Sequence, residues 1–281
     1  MLNLIKADFY RILKGKALYI AILAIIAMFT LSIIAMSPGH LGLASVSEEF
    51  KAEVISNDEL NQKLKDTDSL TETRNIMKEY GSFQLDKQII GTNVNLYYIF
   101  IIIVAIVLTT DFSNSTIKNT LSSAISRRKY YGAKLITCLL LCTILIVINN
   151  YGMYVVNFFV NGPKFVSSLW DITKLTLIQL PLLYGIISLL LCISSMTRKT
   201  ATFNSVSIPF LILFQMIVLG VTSLFHLNST TIMNYELQYA LANLSLHPTN
   251  SYILHCILLG VAYMVVFNAI GYSFFRKAEI K

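Results

Sequence analysis

The chain alternates between long apolar runs and short polar connections. Six runs approach the roughly 20 residues that a helix needs to cross a bilayer core: 17–36, 93–110, 135–159, 174–195, 203–225 and 251–274. The fourth and fifth contain Pro181 and Pro209, tolerable where neighbouring helices or Ser/Thr side chains satisfy the freed carbonyl. Residues 2–13 instead follow helical amphipathic spacing. Leu2, Ile5, Phe9, Ile12 and Leu13 share a face, and Asn3, Asp8, Arg11 and Lys14 take the other, as in a helix lying in the headgroup plane beside anionic lipid. The bases here are spread out and no small-residue cleavage site follows. The expectation is a retained first helix rather than a cleaved signal peptide.

Between the first two spans, residues 37–92 form a long patterned loop. Val46, Phe50, Val54, Leu60 and Leu64 approximate helical spacing, and Ser69 with Glu72 makes a capping box before Ile76, Tyr80 and Phe83. The pattern predicts a small helical hairpin outside the membrane. Residues 226–250, with Tyr235, Tyr239, Leu237, Leu241 and Leu244, are too short to cross and fit a re-entrant or interfacial helix.

Composition agrees. Only 13% of residues are charged and 55% are hydrophobic, against about a quarter charged in soluble domains. The fold class expected is an all-α polytopic membrane protein. Charge sets its orientation. With both termini in the cytoplasm, 14 of the 22 bases lie inside, leaving about +11 inside and −4 outside. Segment 111–134 and tail 275–281 are then cytoplasmic. The outer loop carries an acid excess, and Glu48, Glu49, Glu53 and Glu59 are its candidate attraction surface for a cationic substrate.

Several chemistries are missing. There is no GxxxxGK[ST] phosphate loop and no HExxH pair, and the four cysteines all sit in apolar runs, so no catalytic residue, metal site or nucleotide site is expected in this chain. The apolar centres of the six spans contain no Asp, Glu, Lys or Arg, where ion-coupled carriers keep an ionisable group. The amides Asn149, Asn150, Gln179 and Gln215 are either helix glue or the lining of a weakly polar path. A bundle of this kind needs its driving force from another protein.

That need directs attention to "TIKNTLSSAISRRKYYGAKL", residues 116–135. Ile117, Leu121 and Ala124/Ile125 make a short apolar stripe, and Arg127-Arg128-Lys129 follow Ser126. The string "DFSNSTIKNTLSSAISRRKYYGAKL" resembles the coupling region of ABC-2-type transporter permeases, especially the bacterial branch tied to peptide export and to antimicrobial-peptide or bacitracin self-protection. "LIKADFYRILKGKALY" is similar to that family's N-terminal interface helix, here centred on Phe9, Tyr10 and Arg11. The order of six spans, a large first outer loop and a re-entrant stretch before the last span also agrees.

The resemblance implies a non-catalytic permease in a bacterial plasma membrane. It would pair with a second permease, identical or paralogous, and with two cytoplasmic ATPases that carry the ATP and Mg. By position, Ile117, Lys118 and Leu121 would enter the ATPase cleft, Arg127 and Arg128 would lie near its rim or lipid phosphates, and Thr116, Ile125 and Ser126 would complete the coupling segment. Amphipathic or antimicrobial peptides are the implied cargo, and nucleic acid is not. The competing expectation is a sensory or assembly component that uses the ATPase without transport.

Overall fold

The computed structural model describes residues 1–36, 70–113, 116–122, 125–162, 168–225, 229–244 and 249–277. The first arm of the predicted outer hairpin and Glu48, Glu49, Glu53 and Glu59 lie outside the described residues.

The order is α1 (Leu2–Lys14), α2 (Lys16–Met36), α3 (Leu70–Val104), a π turn (Ala105–Thr109), α4 (Thr110–Ser113), α5 (Thr116–Ser122), α6 (Arg127–Asn161), α7 (Leu169–Thr197), α8 (Thr200–Leu224), α9 (Ser229–Met233), α10 (Leu237–Asn243) and α11 (Asn250–Arg276). No strand occurs among the described residues. Among the described residues, five helices are long and apolar enough to cross a membrane: α2, α3 with its continuation to Ser113, α6, α7 and α11. Helix α8 is 25 residues long and contains Pro209; it occupies the stretch expected as the fifth span. The protein is an all-helical, multi-pass membrane protein.

Local sequence explains where the helices start and stop. Ser168 and Asp171 form a reciprocal capping box that opens α7. Ser126 accepts from Lys129 N and opens α6, and Thr249 does the same for α11 through Tyr252 N. Arg198, at φ 58°, ends α7 in the left-handed conformation, so the chain reverses into α8 within two residues. Two helices run farther than the hydropathy suggests. Helix α3 is unbroken from Leu70, so the second arm of the outer hairpin is a rigid extension of the second span rather than a separate element. Helix α6 starts at Arg127, so the last eight residues of the expected coupling segment are the base of the third span. Backbone hydrogen bonding continues through charged residues once capped, whereas hydropathy stops at the first charge.

Helix α7 is the axis of the bundle: 72% of its most apolar window is buried, against 28% for α2 and 11% for α11. Helix α11 lies along α7 because glycines let the backbones meet. A Cβ at Gly260 would collide with the Pro181 carbonyl group, and one at Gly271 would stand 3.1 Å from Cys192 Cα. This is small-residue packing, which replaces hydrophobic drive where lipid is as apolar as the side chains. Leu254, Leu258, Val261 and Val265 of α11 and Tyr19, Ile20 and Leu23 of α2 point outward, as lipid-facing surfaces do.

Helices α1, α4 and α5 gather at one end with the start of α6 and the end of α11, and we call this the basic end. At the opposite end α10 tucks between α3, α7 and α11, with Leu237, Ala240 and Leu241 buried.

Candidate coupling site at the basic end

The N-terminal helix sorts its residues only partly by polarity: Ile12 is buried and Asn3 and Lys14 are exposed, as its amphipathicity implies, but other positions depart from it. Leu2, Tyr10 and Leu13 are exposed while Asp8 is buried, and Phe9 is half-buried against the core. Asp8 turns inward, and Arg11 partly so, because they have partners there. Lys134 Nζ, on α6, lies 2.6 Å from Asp8 Oδ1 and 2.6 Å from Asp111 Oδ2. Arg11 pairs with Asp111 Oδ1 and reaches Asp8 Oδ1 at 3.3 Å. Tyr130 donates to Asp111 Oδ2 at 2.5 Å, and the Lys134 ammonium stands 5.1 Å from the Tyr130 ring centroid. Two acids and two bases thus neutralise one another where α1, the end of the second span and the base of the third meet.

The π turn makes this geometry available. Its wide hydrogen bonding leaves carbonyls short of helical partners. Thr109 and Thr110 hydroxyls donate to Ala105 O at 2.7 and 2.9 Å. Arg11 Nη2 donates to Ile106 O at 3.1 Å and approaches Val107 O at 3.4 Å. The planar guanidinium fork suits this task, serving carboxylates and carbonyls together. Burial raises the Asp8 carboxyl above the usual range, with Lys134 and Arg11 pulling it partly back. For Arg11, burial is outweighed by the Asp111 hydrogen bond and charge, and the guanidinium is held more firmly protonated.

The expected coupling residues separate into two groups. Thr116, Lys118 and Arg128 are exposed. Ile117 is only 2% exposed and packs in the core of its own bundle. An apolar residue on so short a helix is buried most economically against its own chain. Ile125 also packs against the core. Ser126 is the α6 cap. The half-buried Arg127 donates its guanidinium to the Phe275 and Arg276 carbonyls that close α11, partners that a helix end requires. Tyr130 stacks on Phe275 with ring centroids 5.7 Å apart, so the tail of the last span is fastened to the base of the third. The side chain of Leu121 lies outside the described residues.

Three of the four predicted path amides come together with partners that hydropathy did not single out. Asn93 Nδ2 donates to Asn150 Oδ1 at 3.0 Å and to Gln179 Oε1 at 2.5 Å. Asn149 Nδ2 donates to Thr92 Oγ1 and Asn93 Oδ1, and Asn150 Nδ2 donates to Thr176 Oγ1. Asn93, Asn149, Asn150 and Gln179 are fully buried. The cluster ties α3, α6 and α7 together. The Gln215 side chain lies outside the described residues.

Sequence reasoning missed Asp8, Asp111 and Lys134 as a unit because each sat in a basic, cytoplasmic-looking stretch. The signal was there: of the 15 acids, only Asp8, Asp111 and Glu279 fall among the bases on that side, and an isolated acid amid bases is a pairing partner. No cluster of metal-ligating side chains occurs among the described residues.

A search of curated proteins returns no match. The family model described as ABC-2 family transporter protein matches residues 2–280. With a match over nearly the whole chain and a multi-pass helical bundle, the chain belongs to the ABC-2 family of transporter proteins and is a membrane permease subunit of an ABC transporter.

Proposed function

We propose that this permease moves amphipathic or antimicrobial peptides, for export or self-protection, and is driven by two separate cytoplasmic ATPases. It acts beside a second permease, identical or paralogous, in a bacterial plasma membrane with both termini in the cytoplasm. ATP and Mg are held by the ATPases; this chain contributes no catalytic group.

The observation that carries the coupling part is the buried charge network. Helix α5 is attached to the bundle through Ile117 and flanked by Asp111 and Lys134, which are ion-paired to α1. A push on the exposed Thr116, Lys118 and Arg128 reaches three helices at once. Packed interfaces of this type shift between discrete arrangements, so ATPase closure becomes rocking of the spans. The basic end also carries the bases expected on the inner side. The peptide cargo rests on the family branch that segment 111–135 resembles, and on the acid excess of the outer loop.

The test is purification of the tagged full-length chain from its native membranes. The expected result is a co-purifying chain with a phosphate loop and vanadate-sensitive ATP hydrolysis, both strongly reduced by Lys118→Glu with Arg128→Glu while the permease remains folded. Recovery of the folded permease with no ATPase would overturn the coupling role. An ATPase held equally by the charge-reversed variant would move docking away from this surface.

A further inference from the structure

The π turn is a one-residue surplus in an otherwise α-helical span, and another helix keeps it in place. Thr110 N–H donates to Ala105 O, five residues back. In an α-helix it would donate to Ile106 O, which therefore loses that donor. Arg11 Nη2, from α1, supplies one instead at 3.1 Å, and it approaches Val107 O at 3.4 Å. The Ala105 carbonyl accepts from the Thr109 and Thr110 hydroxyls as well, which reinforces the wide turn. An unpaired carbonyl away from water is costly, so the turn depends on a side chain 95 residues away in sequence.

The two sides of the turn are held unequally. On the α3 side Leu96, Tyr97, Phe100 and Val104 are buried, and Asn93 is bonded to Asn150 and Gln179, so this part is fixed in rotation. On the other side α4 has four residues, and its anchor is Asp111, held by Arg11, Lys134 and Tyr130. One guanidinium thus secures both the freed carbonyl and the acid that follows it. Withdrawing Arg11 lets Thr110 N–H return to Ile106 O. With no residue removed, closing the turn advances each position beyond it one place along the helix, by about 100° and about 1.5 Å. Thr110 then takes the place of Asp111, Asp111 that of Phe112, and Phe112 that of Ser113. Those places differ in burial: Asp111 is 3% exposed, Thr110 and Phe112 are half-buried, and Ser113 is exposed.

We propose that the second span carries a one-residue register switch. Arg11 holds Ala105–Thr109 in the π form, and its release converts the turn to α-helix and carries Asp111 away from Lys134. Helix α5 starts three residues after α4 ends, so a movement of α1 becomes a rotation at the root of the coupling segment. That use of the switch rests on the proposed docking of ATPases at α5. The switch itself belongs to this chain and is tested on the permease alone, so its failure leaves the transport reading standing.

The experiment uses the full-length chain in lipid nanodiscs with one added cysteine, Thr110→Cys or Phe112→Cys, and reads the rate of labelling by a small methanethiosulfonate. The four native cysteines are buried and give the background. In the Arg11→Met protein the rate at 112 is expected to rise and the rate at 110 to fall. Their ratio should change by about tenfold, the scale of one hydrogen bond to a charged group. General loosening of the basic end raises both rates, and that result overturns the switch, as does an unchanged ratio. Deleting Ile106 gives the second arm. With the surplus residue gone, the bond from Thr110 N–H to Ala105 O becomes an ordinary α-helical one and the flanking helices keep their register. The deleted protein should fold, with a labelling ratio indifferent to Arg11→Met; failure to fold, or a ratio that still responds, overturns the proposal. Should Arg11→Met itself not fold, Arg11→Lys decides. Lysine keeps the charge beside Asp8 and Asp111 but lacks the planar fork, so the ratio should move in the same direction, and an unchanged ratio overturns the switch.

Discussion

Replacing Lys134 with methionine keeps the length and much of the volume of the side chain but removes the charge that two buried carboxylates share. Lys134 is 3% exposed, and its ammonium stands 2.6 Å from both Asp8 and Asp111. At an effective dielectric near 20, each contact corresponds to a gross attraction on the order of 5 kcal/mol, most of it offset by desolvation of the charges. The cost of removing the partner is set by what remains. Asp8 and Asp111 would face each other with Arg11, which is about one-third exposed, as the single neighbouring base of this network. Breaking a buried pair in this way costs about 3–5 kcal/mol, enough to lower Tm by about 10 °C in a chain of this size. The assay is thermal unfolding of the detergent-purified permease alongside transporter ATPase activity. Adding Asp8→Asn to Lys134→Met should recover at least half of the lost stability, because it removes one of the stranded charges, while the coupling of ATP hydrolysis to transport stays impaired. A Lys134→Met protein as stable as the parent, or a double variant less stable than Lys134→Met alone, would refute the reasoning.

Other outcomes follow from specific contacts. Gly260→Val should separate α7 from α11, since even a Cβ collides with the Pro181 carbonyl group; the expected loss is about 3 kcal/mol, read as a lower Tm, and unchanged stability would contradict the packing. Ile117→Asp should lower folded yield and not merely release an ATPase, because Ile117 lies in the core; expression-level fluorescence and size-exclusion profiles distinguish the two. Asp86, in the part of α3 beyond its membrane-spanning stretch, is pushed up to about 6 by burial and by the Asp171 charge. The folded state therefore holds its proton more tightly than the unfolded chain, and stability falls as pH rises from about 4 to about 6, by at most about 3 kcal/mol. Asp86→Asn should be the more stable protein at pH 7.5, with the advantage shrinking as pH drops through 6; a pH-independent difference would rule out the titration.

In the proposed coupling role, the network needs no charge on the spans' apolar centres. Its members sit on three elements, and each carboxylate is paired with a base from a different element: Asp8 with Lys134, and Asp111 with Arg11 and Lys134. Displacing α1 from Asp111 would expose the π-turn carbonyls of Ile106 and Val107 as well as the acid, since Arg11 serves all of them. Such a joint resists partial opening, which suits a device with two discrete positions.

Hydropathy by itself determined the class of protein and the positions of the apolar runs, because bilayer thickness and backbone hydrogen bonding leave so few ways to cross. The string from Asp111 to Leu135 was enough to signal the family and the short helix Thr116–Ser122. Which side chains face which partner was decided only by tertiary packing. Amphipathic spacing turned Asp8 and Arg11 toward water, yet an inward turn is favoured once Lys134 and Asp111 lie one helix away. The stripe on α5 looked like a docking face, and its first member, Ile117, is spent on its own bundle. Arg127 looked like surface charge and is the cap of a helix that ends about 150 residues later in the chain. Periodicity along the chain tells only which residues of one helix share a side. Charge pairing and glycine contacts depend on which elements become neighbours, and one-dimensional patterning does not encode that directly.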